Sequence, residues 1–319
     1  MSGQVDMSYW QGRVDSEEAA PALRWHQVVT PLDEQSEPGS KVLLGFACDE
    51  GVKRNKGRQG AFDGPDAIRK SLANLSFPGD QPVYDAGNIE CLDADLEAAQ
   101  ISLANTVSKL LGRKLDVTAL GGGHEIAWGS YQGIVQYLQS INDETSKVGI
   151  INFDAHLDLR NPAPGCSSGT PFRQIAEWCE ENDRAFRYHV IGFNPSANTT
   201  ALTEYAKSKN VSWVEDIDAH LANLDKICAG LRNFMADVDY LYVTICLDVF
   251  TAATAPGVSA PASVGVSSEL VIRLLREVRV LSAELEVPII LSDIAELNPH
   301  FDIDQRTARL AARLIWELT

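Results

Sequence analysis

The stretch VGIINFDAHLD, Val148 to Asp158, is a mostly apolar run that ends in three ionisable residues. A continuous apolar run of this length is typical of a strand buried on both faces of a parallel sheet. Asp154, His156 and Asp158 follow at a spacing of two, so in an extended backbone their side chains project to one side. Buried charges cost several kcal/mol unless they are paired or bind a metal. The end of this strand therefore predicts a metal site.

Three other apolar runs end in ionisable residues in the same way, and helical patterns separate the four runs. They are LDVTALGGGHE (115–125), YLYVTICLD (240–248) and VPIILSDIAEL (287–297). Strands that alternate with helices and are apolar on both faces predict an α/β fold with a parallel sheet covered by helices. In such sheets ligands bind outside the carboxyl ends of the strands, which is where the ionisable residues fall.

The length and composition favour one large domain. The chain has 319 residues, 45% of them hydrophobic, and no linker rich in proline, glycine or serine divides it. We predict a single catalytic domain over residues 41–319, preceded by an irregular N-terminal arm over residues 1–40.

Charge and hydropathy exclude several functional classes. The net charge of −17 argues against nucleic-acid binding, which requires a basic surface. No apolar run approaches the length of a membrane span, and the N-terminus lacks the pattern of a secretory signal. The six cysteines are scattered without a CxxC pair, which predicts reduced thiols in a cytoplasmic protein.

The ionisable residues at the strand ends form a donor set of three carboxylates, two imidazoles and one thiol. They are His124, Asp154, His156, Asp158, Cys246 and Asp248. Mixed oxygen and nitrogen donors suit Mn²⁺, and six ligands are too many for one four-coordinate zinc. Two metals roughly 3.5 Å apart, sharing carboxylates, would use all six and activate a water as hydroxide. Such a centre catalyses the hydrolysis of a bond at an electrophilic carbon or phosphorus atom.

Four motifs resemble those of the ureohydrolases, the family of arginase, agmatinase and formimidoylglutamase. They are GGGHE (121–125), DAHLD (154–158), LDVFTAATAPGVSAPA (247–262) and DIAELNP (293–299). The resemblance extends from about Lys41 to Thr319. It implies a three-layer α/β/α fold with a mostly parallel central sheet, a homo-oligomer, and a binuclear manganese centre that hydrolyses amidine or guanidine C–N bonds.

The resemblance also implies roles for single residues. One metal would be held by His124, Asp154, Asp158 and Cys246, and the other by His156, Asp154, Cys246 and Asp248. Asp158 would also accept a hydrogen bond from the attacking hydroxide. Glu296 would lie beside the amidinium-like group of the substrate, where opposite charges attract.

Cys246 departs from the family pattern, which has an aspartate at this position of a D-x-D pair. A soft thiolate ligand is expected to weaken one manganese site, to favour another metal, or to expose the centre to oxidation. The alternative is a neutral thiol facing the core, with only one metal bound tightly. If Cys246 is a ligand, oxidising conditions should inactivate the enzyme.

A second departure lies in GCSSGTPFRQI (165–175), where Ser168 precedes Gly169 in place of the histidine usual in arginases and agmatinases. This change argues against guanidine hydrolysis of the usual kind. Formimidoylglutamases resemble the chain most closely, through YWQGRVD (9–15), the basic segment 51–69 and SSGTPFRQ (167–174). The implied reaction converts N-formimidoyl-L-glutamate and water to L-glutamate and formamide, a step of histidine breakdown.

A substrate with two carboxylates needs cationic partners. Arg160, just beyond the DAHLD motif, is the first candidate, followed by Arg173, Arg54 and Arg58. Any of these arginines could instead brace a loop or a subunit contact.

Two other functions stay open: an agmatinase-like or guanidino-acid hydrolase that releases urea, and a metal-degenerate, non-catalytic relative. The glycines of GGGHE lack the GxGxxG spacing of a dinucleotide-binding turn.

Overall fold

The computed structural model describes residues 5–15 and 23–319, and in this part of the chain nine strands form one sheet. All paired strands are parallel, in the order β1-β3-β2-β4-β9-β8-β5-β6-β7. The strands are β1 Val29–Pro31, β2 Lys41–Ala47, β3 Val83–Glu90, β4 Asp116–Gly121, β5 Val148–Phe153, β6 Arg187–Phe193, β7 Ser212–Glu215, β8 Tyr240–Cys246 and β9 Ile289–Ala295.

Ten α-helices connect or flank these strands in the described residues, together with five single turns of 3₁₀-helix. The α-helices are α1 Trp25–Val28, α2 Glu50–Arg54, α3 Gly64–Leu72, α4 Leu96–Gly112, α5 Ile126–Ser140, α6 Pro171–Glu181, α7 Thr200–Ser208, α8 Leu224–Met235, α9 Ser268–Leu285 and α10 Arg306–Leu318. No helix of residues 5–15 and 23–319 is both long and apolar enough to cross a membrane.

Successive residues of the central strands pack into two different hydrophobic layers. In β5, Ile150 contacts the layer that contains α4 to α7, and Ile151 contacts the layer that contains α3, α8, α9 and α10. This alternation follows from strand geometry, because neighbouring side chains point to opposite faces of a sheet. Both faces are covered by helices, which confirms the predicted α/β/α fold with a parallel central sheet.

The strand order brings the four predicted functional strands side by side. β4, β9, β8 and β5 are consecutive neighbours in the middle of the sheet. Because they are parallel, their carboxyl ends meet at one edge. The ionisable residues from distant parts of the chain therefore converge there.

The sheet begins before the predicted boundary at Lys41. β1 pairs with β3 through Val29 and Val83, so part of the predicted arm belongs to the sheet. A three-residue strand that ends at Pro31 is too short to show a periodic pattern. Trp10 also anchors the arm, since its Nε1 donates to Asp85 Oδ2 at 2.8 Å. Residues 1–4 and 16–22 of the arm lie outside the described residues, and the single catalytic domain stays a prediction.

Candidate metal centre

The carboxyl ends of four neighbouring strands supply the ionisable side chains of one site. Asp154 is the first residue after β5, and Cys246 is the last residue of β8. His124 follows the glycine turn after β4, and Glu296 follows β9 directly. These residues are 0–4% exposed, so the site is built into the core and not onto a surface loop.

Asp154 lies between the two histidines. Its Oδ2 is 2.9 Å from His124 Nδ1, and its Oδ1 is 3.5 Å from His156 Nδ1. His124 Nδ1 is also 3.0 Å from Asp158 Oδ2, while His156 Nδ1 is 3.2 Å from Asp248 Oδ2. Each imidazole thus faces two carboxylates, and the two pairs share Asp154.

The geometry divides the donors into two groups that could each hold a metal ion. One consists of His124, Asp154 and Cys246, the other of Asp154, His156 and Asp248, with the ligand atoms of each group within 4.8 Å of one another. His124 Nδ1 is buried and makes no well-directed hydrogen bond, despite the two nearby carboxylates. A buried imidazole nitrogen that converges with carboxylate oxygens fits a manganese ligand set. The residues present therefore fit two metals with Asp154 between them.

Backbone and amide contacts hold these ligands in place. The amide nitrogen of His156 donates to Asp154 Oδ1 at 2.7 Å, and Asn152 Nδ2 donates to Asp154 Oδ2 at 3.0 Å. Asn198 Oδ1 accepts from the amide nitrogen of Leu157 at 3.0 Å, which fixes the loop after β5. Supporting contacts of this kind orient metal ligands before the metal binds.

The turn at His124 requires glycine. A Cβ on Gly122 would lie 1.8 Å from the carbonyl oxygen of Cys48, so no larger residue fits. This close approach lets the amide nitrogen of His124 donate to Glu296 Oε1 at 2.9 Å.

Asp158 and Glu296 both have positive φ, 46° and 70°, a backbone strain that is concentrated at functional sites.

Burial and neighbouring charge oppose each other on the two histidines and act together on Glu296. Burial opposes protonation of His124, but the adjacent carboxylates of Asp154 and Asp158 raise its pKa well above the ordinary value. For His156, burial is likewise outweighed by the charge of Asp248 and by hydrogen bonds with Asp154 and Asp248, which raise the pKa. Burial, the charge of Asp248 and that of Glu125 raise the pKa of Glu296. Cations bound here would relieve this crowding of carboxylates.

Cys246 lies among the carboxylates as a protonated thiol. Its Sγ donates to Asp248 Oδ1 at 2.9 Å, and burial followed by the charge of Asp154 raises its pKa well above the ordinary value. A metal would have to displace this proton before the sulfur could act as a thiolate ligand. All six cysteines are free, as the sequence predicted.

A cavity of about 310 Å³ opens above the donors and has two chemically different ends. The acidic floor consists of His124, His156, Asp158, Cys246, Asp248 and Glu296. The cationic rim consists of Lys56, Arg58 and Arg160, and neutral polar groups of Asn55, Ser168, Asn198 and Ser259 also line the cavity.

The three rim cations differ in how they are held. Arg160 and Lys56 are exposed, and neither side chain has an ion pair or hydrogen bond within residues 5–15 and 23–319. Arg58 is fixed: its Nε donates to the carbonyl oxygen of Ser259 at 3.1 Å, and its guanidinium lies 4.1 Å from the ring centre of Phe301. The side chain of Arg160 is therefore free to bind an anion, whereas the guanidinium of Arg58 is held in a fixed position at the rim.

The structure does not bring Arg54 or Arg173 to the cavity. Arg54 binds Glu50 at 3.2 Å and Glu97 at 2.6 Å, and Arg173 binds Glu177 at 2.8 Å. Carboxylates one helical turn away already neutralise both arginines, which is the bracing arrangement that the sequence left open.

Four polar residues of the cavity were not among the predicted site residues, although Lys56 lies in the basic segment: Asn55, Lys56, Asn198 and Ser259. Asn198 had a readable signal. It follows β6, the neighbour of β5, so it reaches the same edge of the sheet. The other three lie on loops whose position depends on tertiary packing.

Comparison with known proteins gives a consistent result. A family model described as the arginase family matches residues 40–319. A formimidoylglutamase from Aliivibrio fischeri is 47% identical over 99% of this chain and 95% of its own. The crystal structure of a formimidoylglutamase from Bacillus subtilis superposes with a TM-score of 0.81 at 22% identity, covering 94% of this chain and 92% of that one. A formiminoglutamase from Trypanosoma cruzi, crystallised with Mn²⁺₂, is 26% identical with a TM-score of 0.74, covering 88% and 92%.

Proposed function

The chain belongs to the arginase family, and we propose that it hydrolyses N-formimidoyl-L-glutamate to L-glutamate and formamide, a step of histidine degradation. The observation that carries this proposal is the polarity of the cavity, acidic at the floor and cationic at the rim. The substrate has the opposite polarity, with an amidinium-like formimidoyl group at one end and two carboxylates at the other. Each end therefore meets a complementary charge.

We propose two Mn²⁺ ions at the floor. His124, Asp154, Asp158 and Cys246 would hold one ion, and His156, Asp154, Cys246 and Asp248 the other. When bound, the pair supplies an activated water and offsets negative charge that develops during the reaction. The dimanganese relative from T. cruzi supports this metal, and so do the oxygen and nitrogen donors of the site.

Asp158 and Glu296 have different proposed roles. Asp158 lines the cavity and lies 3.0 Å from His124, so its carboxylate can orient the attacking water and take its proton. Glu296 has one oxygen, Oε2, that is buried and has no hydrogen-bond partner among the residues that the structure describes. A formimidoyl N–H would donate a hydrogen bond to this oxygen. The positive charge of the amidinium-like group would also stabilise the carboxylate form of Glu296, whose pKa is raised by burial.

The substrate carboxylates are assigned to the rim. Arg160 is the primary partner because its guanidinium is uncommitted, and Arg58 and Lys56 complete the set. Arg54 and Arg173 brace the surrounding helices through their glutamates instead. Ser168 lines the cavity at the position where related guanidine hydrolases carry a histidine. The leaving amine must therefore take its proton from another group, and Asp158, which also lines the cavity, is the proposed donor.

We propose a cytoplasmic homo-oligomer that acts on a small molecule and binds no nucleic acid. The six free cysteines support a reducing compartment, and the net charge of −17 argues against nucleic-acid binding. The homo-oligomer is what the resemblance to the arginase family implies. Sedimentation analysis of the purified protein tests the oligomeric state, and a single-chain mass would contradict it.

The experiment that tests the proposed function is product analysis after reconstitution with Mn²⁺ under reducing conditions. We expect one formamide and one glutamate for each N-formimidoyl-L-glutamate consumed. Agmatine and guanidino acids should yield no urea. Release of urea would establish the guanidine-hydrolase alternative instead. No turnover on any amidine, together with no bound manganese, would indicate a non-catalytic relative.

A further inference from the structure

His124 has two ring nitrogens that face different parts of the protein. Nδ1 faces Asp154 and Asp158 on the acidic floor. Nε2 points away from the floor, and it lies 3.0 Å from the hydroxyl oxygen of Thr244. His124 and Thr244 are 1% and 0% exposed, so this contact is shielded from water.

Behind Thr244 lies a buried carboxylate that no proposed reaction step uses. Thr244 of β8 is paired in register with Asp293 of β9. Asp293 is fully buried, and its Oδ2 accepts from Ser130 Oγ at 2.8 Å and from the hydroxyl of Tyr242. Its Oδ1 has no hydrogen-bond partner in the described part of the chain. Burial raises the pKa of Asp293, and hydrogen bonding from its in-register neighbour Thr244 opposes this rise, so the Thr244 hydroxyl lies within reach of the carboxylate.

The proton count then links the directions of the two hydrogen bonds that Thr244 can make. A threonine hydroxyl has one proton to donate, and a carboxylate oxygen can only accept. If Thr244 donates to Asp293, its oxygen must accept a proton from His124 Nε2. A neutral imidazole with its proton on Nε2 has a free lone pair on Nδ1, the nitrogen that faces the acidic floor.

We propose that Thr244, oriented by Asp293, is a positioning residue that selects the His124 tautomer able to bind a metal through Nδ1. The inference rests on the proposed function only in assuming that the floor binds metal. Outer partners of this kind orient ligating histidines, and their loss typically costs about 10- to 100-fold in metal affinity.

His156 provides an internal comparison, because its Nε2 has no hydrogen-bond partner within residues 5–15 and 23–319 and its side chain is 26% exposed. Only the donor group that contains His124 is thus supported by a series of hydrogen bonds of this kind. Removing the Thr244 hydroxyl should weaken one metal and leave the other unchanged.

The test is a Mn²⁺ titration of the full-length chain, followed by electron paramagnetic resonance without substrate. We expect two bound ions in the wild type. In Thr244→Val, one of them should bind about 10- to 100-fold more weakly. Thr244→Ser keeps the hydroxyl and should restore wild-type binding. Thr118→Val is a matched control, because this buried threonine of the neighbouring β4 bonds to Ser292 and Lys41, away from the donors.

Wild-type binding of both ions by Thr244→Val would overturn the proposal, and so would equal weakening in Thr118→Val. If Thr244→Val does not fold, Asp293→Asn provides the same test. This variant keeps the side-chain shape but is a weaker hydrogen-bond acceptor for the Thr244 hydroxyl. An unchanged Mn²⁺ affinity of Asp293→Asn would also overturn the proposal. Because no substrate is present, these results are independent of formamide release, whose failure in the wild type would refute the proposed function instead.

Discussion

The acidic floor and the cationic rim differ in how the fold builds them. The floor residues follow parallel strands of the central sheet, and most of them are almost fully buried. The rim residues lie on loops, and Lys56 and Arg160 are exposed. The rigid region carries groups whose positions must hold for metal chemistry, and the loop region carries groups that select the substrate. This difference predicts that floor variants lose turnover, whereas rim variants lose affinity.

The largest effect is expected for Asp154→Ala, because Asp154 belongs to both donor groups. Removing one stabilising donor from an active site costs about 100- to 1,000-fold in rate, so the loss of both cations should exceed about 1,000-fold. Formamide release and metal analysis measure the effect. Asp116→Asn, at the opposite end of β4, is the control. An Asp154→Ala enzyme that kept both metals would contradict the shared role.

Asp158→Asn changes a proposed metal ligand, but it should reduce turnover even when the manganese content is matched to that of the wild type. The amide keeps the shape of the side chain but cannot take a proton, so kcat should fall about 100- to 10,000-fold, as for loss of a general base. KM should change little, because the rim is untouched. Steady-state kinetics at matched manganese content checks this result. Near-full turnover with both metals present would eliminate Asp158 as the proton acceptor.

Arg160→Met should affect the rim alone. Loss of a hydrogen bond to a charged group costs about 1.5–3 kcal/mol, which corresponds to a KM about 10- to 100-fold higher. Metal content should not change. Arg273→Met removes an exposed arginine paired with Glu269 on α9 and serves as the control. An unchanged KM in Arg160→Met would remove this residue from substrate binding.

The floor should also bind manganese more tightly as the pH rises. Despite burial, the neighbouring carboxylates raise the pKa values of His124 and His156, so each imidazole keeps its proton to a higher pH than an ordinary histidine and must lose it to bind metal. The affinity should therefore increase by about tenfold per pH unit for each proton displaced, and decrease as the pH falls. Calorimetry in buffers of different ionisation enthalpy counts the released protons. Binding independent of pH would mean that neither histidine is a ligand.

The smallest effect is expected for oxidation. Cys246 is buried, and its raised pKa keeps the sulfur as a slowly reacting thiol until a metal binds. Peroxide should therefore inactivate the enzyme slowly and through Cys246. Cys246→Ser should resist the treatment. Activity and metal content that stay constant in the peroxide-treated wild type would refute the hypothesis.

The contrast between floor and rim also explains what the sequence could predict. Apolar runs that end in ionisable residues predicted the strands and their common edge, because the carboxyl ends of parallel strands lie at one edge of a sheet. The expected extended backbone over residues 154–158 is wrong, since β5 ends at Phe153 and Asp158 has a φ of 46°. The rim depends on loops whose arrangement is set by long-range packing. Arg54 and Arg173 looked like rim candidates, although Glu50 and Glu177 four residues away on the same helices already offered them partners.

Supporting contacts lay beyond sequence reasoning for a different reason. Thr244 has the β-branched side chain expected in any strand, and its contact with His124 depends on which strands are neighbours. The order β4-β9-β8-β5 cannot be read from a single chain by periodicity, since the pattern gives strands but not their pairing. The same limit hid β1, whose three residues carry no period.

The most direct test of a two-metal floor is anomalous diffraction from crystals of the chain soaked in Mn²⁺ under reducing conditions. We expect two manganese peaks roughly 3.5 Å apart on the acidic floor. One should lie beside His124 and the other beside His156, with Asp154 contacting both. A single peak, or peaks away from Asp154, would contradict the two-metal floor.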